Sequence, residues 1–233
     1  TGKFTMSHVM GDPKAITKLQ KAPLRYFNRP DASHVQLDTT RTSLTGHSGT
    51  LALNRNGSSK FRFSGFVTWR SPGLELNDAG YLRESDAIFQ ILWAGYRITE
   101  PFGIFRNLSI NFNQWTGWNF DGDMNTKGAN VSLSTQFKNY WSMAFGVTRG
   151  LSEFSPAMLR GGPGIKLPGG WSFWGRVGTD GRKKFRLSSF YSHYDADFQH
   201  RNYNSAGINL FYRPLNALEI SLMFDYSVSN RNL

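Results

Sequence analysis

The chain has 233 residues and no cysteine, and it is 39% hydrophobic, 18% charged and 15% aromatic. Disulfide frameworks, cysteine-ligated zinc and thiol nucleophiles are therefore excluded, and no run approaches the roughly 18 uncharged apolar residues of a membrane helix. The 27 Lys and Arg outnumber the 16 Asp and Glu, for a net charge of +11. These cations fall singly, and even Arg182-Lys183-Lys184 sits beside a turn, so a polar lumen and solvated turns account for them and no nucleic-acid partner is expected.

Residues 1–34 read as an irregular N-terminal segment, expected to act as a plug or to pack on a rim. Thr1 to Val9 suits a strand. Asp12-Pro13 has the form of an N-cap followed by proline at the first helical position, opening a short helix over about 13–20. A loop with Arg25-Tyr26-Phe27 and Pro30 follows.

Residues 35–233 alternate with a period of two, which in a strand sends neighbouring side chains to opposite faces. After weaker strands at 35–43 and 47–55, Phe61, Phe63, Val67 and Trp69 oppose Lys60, Arg62, Ser64, Thr68 and Arg70. Segment 86–98 is apolar on both faces and calls for a cover inside the lumen. Leu108, Ile110 and Phe112 then oppose Ser109, Asn111 and Asn113, and Val131, Leu133 and Phe137 oppose Asn130, Ser132, Ser134 and Gln136. Trp141, Met143, Phe145 and Val147 form another apolar face. Weaker strands are expected at 158–167, 171–179, 183–193 and 201–213. The last strand sets Leu218, Ile220, Leu222, Phe224, Tyr226 and Val228 against Glu219, Ser221, Met223, Asp225 and Ser227.

These make about twelve strands, separated by turn formers such as Asn56-Gly57, Glu100-Pro101, Lys138-Asn139, Asp180-Gly181 and Pro214-Leu215-Asn216. A soluble sandwich alternates in the same way. The small polar residues of one face, and aromatic strand ends at Trp69, Trp115, Trp118, Trp141 and Trp171, favour an all-β, antiparallel up-and-down transmembrane barrel with an aromatic girdle. Its lumen would carry Lys60, Arg62, Asn111, Asn113, Ser132, Gln136 and Glu219. Long connections at 71–85, 117–127 and 149–158 alternate with short ones, as in barrels, but the alternation fails after residue 180. The long connection with Glu75, Asn77, Asp78, Arg83 and Glu84 is a candidate constriction.

Two constellations have weak metal-ligand spacing. Asp121, Asp123 and Asn125 open like a calcium loop but lack its glycine and closing glutamate. His193, Asp195 and Asp197 lie two apart on a strand end, near His200. A polar loop and a solvated strand end explain both, so no metal, cofactor or catalytic residue is expected and the chain reads as no enzyme.

Several strings resemble a known family: Thr1-Gly2-Lys3-Phe4, Ser7-His8-Val9, Arg25-Tyr26-Phe27 with Arg29-Pro30-Asp31, Arg70-Ser71-Pro72-Gly73, Gln136 to Trp141, and Arg160-Gly161-Gly162-Pro163 followed by Pro168-Gly169-Gly170-Trp171. They are similar to the Bacteroidota outer-membrane β-barrel family of unknown function that follows a carbohydrate-binding family 9-like domain. The resemblance implies an inner portion of a longer exported protein, part of a larger barrel, and carries no catalytic residues.

The expected role is transport or anchoring of extracellular material at an outer-membrane barrel, with lipid, glycans and other envelope proteins as partners. The glycan part comes from the resemblance alone. The competing readings are a soluble basic β-sandwich that binds polyanions or glycans, and an envelope metallohydrolase.

Overall fold

A computed structural model describes residues 1–55, 57, 59–77, 80–197 and 201–230. In chain order the elements are β1 (Gly2–Met10), α1 (Pro13–Lys21), β2 (Ser43–Arg55), β3 (Phe61–Arg70), β4 (Ala87–Ile98), β5 (Phe105–Trp118), β6 (Met124–Phe137) and β7 (Ser142–Gly150). There follow β8 (Glu153–Ser155), β9 (Ile165–Leu167), β10 (Gly170–Gly178), β11 (Phe185–Ala196), β12 (Asn202–Leu215) and β13 (Leu218–Asn230). Eleven of the strands form one antiparallel sheet in sequence order, from β1 to β13, with the two-stranded ribbon β8–β9 outside it. This is the all-β, up-and-down arrangement that the alternation called for. The ladder is open: among the described residues β1 and β13 do not pair with each other.

Because directly paired residues share a face, the register extends each strand's alternation across the whole sheet. One cross-strand row runs Phe61, Tyr96, Ile110, Leu133, Phe145, Gly175, Tyr191, Ala206 and Tyr226. The residues two positions away along each strand are also largely apolar, so the sheet has one mainly apolar face, interrupted by the bonded Gln90, Gln114 and Thr116 and by the His193–Asn204 pair. Outside the sheet, Phe120 meets His47 and Asp197 meets Arg149 at its long-connection edge, whereas Leu92, Ile110, Val131 and Phe145 in its middle are exposed. On β13, Leu218, Ile220, Leu222 and Phe224 are 47%, 48%, 54% and 60% exposed, so the second sheet that a sandwich needs is not packed on them.

Connections alternate between the two ends of the sheet. Segments 11–42, 71–86, 119–123, 151–169 and 197–201 close one end, and 56–60, 99–104, 138–141, 179–184 and 216–217 the other. After residue 180 the connections still alternate between the two ends, but the alternation of long and short fails as expected, since the β11–β12 connection is shorter than the β10–β11 one.

Three expectations change. The sheet begins at Gly2 rather than near residue 35, with β1 as its edge strand against β2. Residues 35–42 form no strand, since Val35 is drawn into a cluster with Phe27, Ala32 and Leu44. Of 158–167 only Ile165–Leu167 is strand, because Pro163 cannot donate to a ladder and Arg160 and Gly161 turn the chain at φ 51° and 101°.

The buried core lies at the long-connection end, not between layers. Asp12 caps α1 by accepting from the Ala15 amide at 2.8 Å. The buried Gln20 side chain exchanges two hydrogen bonds with the Asp38 backbone, at 2.8 and 2.9 Å. Leu74 is fully buried where segment 71–77 crosses β2. A Cβ at Gly46 would lie 2.1 Å from the Leu74 amide nitrogen, so only glycine allows this approach. Gly46→Val should therefore undock the segment at a cost of about 1–3 kcal/mol, as for other overpacked sites. Limited proteolysis within 71–86 should accelerate while far-ultraviolet dichroism stays that of the wild type; unchanged cleavage would show that the close approach does not hold the loop.

Candidate functional site

The opposite face of the sheet is mainly polar, although Phe66, Phe89 and Ile91 also stand on it, as the two-sided apolar character of 86–98 requires. One row reads Asn54, Ser64, Trp93, Asn113, Asn130, Thr148, Ser172, Tyr194, Tyr203 and Ser229. Its side chains bond to one another: the Ser64 hydroxyl donates to Asn54 Oδ1, and Asn113 Nδ2 donates to Asn130 Oδ1 at 2.8 Å. Arg62, Asn111 and Ser132 lie in the adjacent row, joined through Gly95. Asn113, Gln136 and Glu219 share the face, and Glu219 accepts from Arg186 at 2.5 Å. Lys60 is in the 56–60 connection, where its carbonyl accepts from the Arg97 amide.

Charge on this face is unbalanced. Its strands bring in Lys3, Arg62, Arg70, Arg97, Arg176 and Arg186, and among the described residues the only acids they contribute are Glu219 and Asp225. Arg62, Arg97 and Arg176 have no carboxylate at ion-pair distance among the described residues. Arg176 lines a groove of about 380 Å³ with Ser142, Ser188 and Asn209.

The tryptophans divide. Trp69, Trp118 and Trp171 lie on the apolar face at the long-connection end, and Trp141 lies in the turn at the other end. Trp115 departs from the expected girdle: it pairs with Gly128 on the polar face. Alternation from Phe112 puts position 115 opposite the apolar side chains, and Gly128 leaves room for the indole.

Residues 71–75 lie on the polar face of β1 and β2. The Glu75 amide donates to Ser7 Oγ at 2.9 Å, and Ser71 Oγ accepts from the His47 amide at 2.7 Å. The Glu75 carboxylate receives Arg25 Nη2 at 2.8 Å, with both side chains almost fully enclosed, and Arg25 donates to the Leu74 carbonyl as well. Burial acts to raise the Glu75 pKa, but the Asn77 amide and the Arg25 guanidinium outweigh it and hold the carboxyl below its ordinary value. Asn77 Oδ1 receives the Leu82 amide, Arg83 is exposed, and Glu84 faces Arg70 at 3.8 Å across solvent. Asp78 lies outside the described residues.

Residues 25–34 connect the other loops. Asp86, at φ 56°, holds His34 Nε2 at 2.8 Å and accepts from the Phe120 amide, while Ser33 donates to Asp121 at 2.7 Å. Asp31 accepts from the Gly164 amide and Asn28 donates to the Gly161 carbonyl. Sequence reasoning missed Arg25, His34 and Asp86 as a network, since no local pattern marks partners so far apart in the chain.

The metal constellations do not assemble among the described residues. Asp121 turns to Ser33 and His34, whereas Asp123 accepts from Asn119, and Asn125 lies beyond them at the start of β6. His193 and Asp195 sit on the apolar face, with His193 bonded to Asn204. Asp197 is instead taken bidentately by Arg149 at 2.7 and 2.6 Å. His200 lies outside the described residues.

Glu75→Gln should leave the enclosed Arg25 charge without its anion, loosening 71–77 by about 3 kcal/mol, the low end for a broken buried pair. Because the folded pKa is depressed, the pair's contribution is full above the ordinary value of 4.5 and is lost as pH falls through the lower folded value. Amide exchange at 74–76, corrected for intrinsic rate, should rise on acidification in the wild type and stay high and flat in Glu75→Gln. Identical exchange in the two proteins at neutral pH would remove the pair as the tether.

Comparison with solved structures finds the fold similar to a porin refined at 1.8 Å resolution: TM-score 0.52, 12% identity, covering 97% of this chain and 72% of that one. At that identity the likeness concerns the fold alone. No curated protein matches the chain. The model of a family described as a domain of unknown function (DUF5916) matches residues 14–233, from α1 through β13. The chain belongs to this family.

Proposed function

We propose that the chain forms much of an outer-membrane barrel, whose polar face lines an interior through which, or at which, extracellular material is handled. The observation that carries this is the mainly apolar face spanning all eleven strands of the sheet, whose side chains are exposed across its middle. A soluble protein would leave far more contiguous apolar surface in water than monomers tolerate. In hydrocarbon the same surface is at rest, and the polar groups turn to the interior.

The open edges of β1 and β13 would be costly there, because lipid offers no partner for backbone N–H and C=O groups. Further strands therefore close the barrel. The long connections would face outward and the short turns inward, as in other barrels. The finer assignment, to the Bacteroidota family whose barrel follows a carbohydrate-binding domain, rests on the resembling strings and brings glycans and envelope proteins in as partners. The role is non-catalytic.

Fractionation of the full-length protein tests membrane residence. Recovery in the outer membrane with a heat-dependent mobility shift is expected; recovery in the soluble fraction without a shift would end the barrel reading. The unpaired Arg62, Arg97 and Arg176 predict a second outcome. In planar bilayers across a KCl gradient the reversal potential should show anion preference, reduced when all three are changed to Gln. A potential unchanged by the substitutions would show that these arginines do not set the interior field.

A further inference from the structure

Three tryptophans of the polar face lie flat across glycines. A Cβ at Gly95 would fall 2.5 Å from Trp93 Cζ2, one at Gly128 2.4 Å from Trp115 Cζ2, and one at Gly146 2.5 Å from Trp174 Nε1. Strand side chains normally stand up from the sheet. Here the missing Cβ lets each indole lie down, one ring face on the backbone and the other toward the interior.

Trp69 lies over Gly49 on the apolar face in the same way, so the posture alone serves packing. The neighbours make the difference. Trp93 donates from Nε1 to Asn111 Oδ1 at 3.2 Å and pairs directly with Asn113, which is two residues before Trp115 on β5. Asn113 is in turn bonded to Asn130. Trp174 shares its row with Ser132 and Ser192. Trp93 and Trp115 are thus diagonal neighbours, with Cα atoms about 7–8 Å apart, bracketed by amides that both donate and accept.

A pyranose presents an apolar C–H face to the negative face of an aromatic ring and hydroxyls to the groups around it. A nucleic acid would stack on the same rings but needs cations beside its phosphates. Here the cations stand singly, Arg62 opposite Gly95 and Arg176 two residues past Trp174, among neutral partners for hydroxyls: the row from Trp93 to β10 supplies Asn113, Asn130, Thr148 and Ser172.

We propose that the polar face binds an oligosaccharide chain, stacked on Trp93, Trp115 and Trp174 and hydrogen-bonded by Asn111, Asn113 and Asn130. The inference rests on this face being the interior of a barrel.

Full-length protein in zwitterionic detergent is titrated with maltohexaose, xylohexaose, hexagalacturonate and, for contrast, an oligothymidylate, following indole fluorescence and heat of binding. At least one sugar should bind saturably, and Trp115→Leu/Trp174→Leu should weaken it about tenfold or more, as truncating a central tryptophan does. Gly146→Ala, which lifts the Trp174 ring without removing it, should also weaken binding. If the double variant loses its heat-dependent mobility shift, Asn113→Ala replaces it, with the same loss expected. Binding by none of the sugars, equal binding by wild type and variants, or preference for the oligothymidylate overturns the proposal. A wild-type protein with no mobility shift overturns the barrel reading instead, and that result needs no sugar.

Discussion

Every feature of this molecule depends on one uninterrupted antiparallel ladder. Each of nine successive inner strands pairs with a neighbour on both sides, and the pleat then sorts side chains into two faces with no further instruction. A single-residue slip in any pairing would exchange the faces of every strand beyond it. The apolar row from Phe61 to Tyr226 and the polar row from Asn54 to Ser229 are two readings of the same register. Neither face has a conventional core against it, so burial of the apolar face is left to a surrounding medium.

What packing there is collects at the long-connection end, and its cohesion is largely polar. The segment 25–34 reaches the 71–86 loop through Arg25 and Glu75, the 119–123 turn through Ser33 and His34, and the loop before β9 through Asn28 and Asp31. Loops held by enclosed charge pairs stay in place only while each partner remains, since a lone buried charge is far more costly than the pair. The opposite end is built of short turns with local solutions. Asp180, held at about 2 chiefly by side-chain bonds from Arg182, ties its own turn, and Arg182 also lies 3.1 Å from the Tyr140 ring centroid. One end is thus a capped, tertiary structure and the other a rim of short turns that touch at few points, such as Arg182 on Tyr140 and the Lys138 amide on the Ile104 carbonyl.

Glycine links the fold to its candidate function. At Gly46 the missing side chain admits the 71–77 segment onto the polar face, and at Gly95, Gly128 and Gly146 it admits tryptophan rings. Such residues weaken a strand through entropy and lost packing. At Gly95, Gly128 and Gly146 the aromatic ring laid over the glycine restores contact and shields the backbone. The same substitution of space for side chain therefore stabilises the sheet and shapes the surface its interior presents.

Alternation over stretches such as Leu218–Val228 and Leu108–Asn113 was enough, by itself, to determine the all-β class, the two faces and the polar placement of Arg62, Asn111, Asn113, Ser132, Gln136 and Glu219. A period of two is a local property that needs no knowledge of partners. Only the tertiary structure decided that Gly2–Met10 joins the sheet as an edge, that Val35 leaves strand for a loop core, and that Trp115 turns inward over Gly128. It also decided that Arg25 meets Glu75 and that Asp197 goes to Arg149 and away from His193. Those outcomes depend on contacts between residues tens of positions apart, whose energies are set by burial and partner geometry, quantities that no local pattern contains.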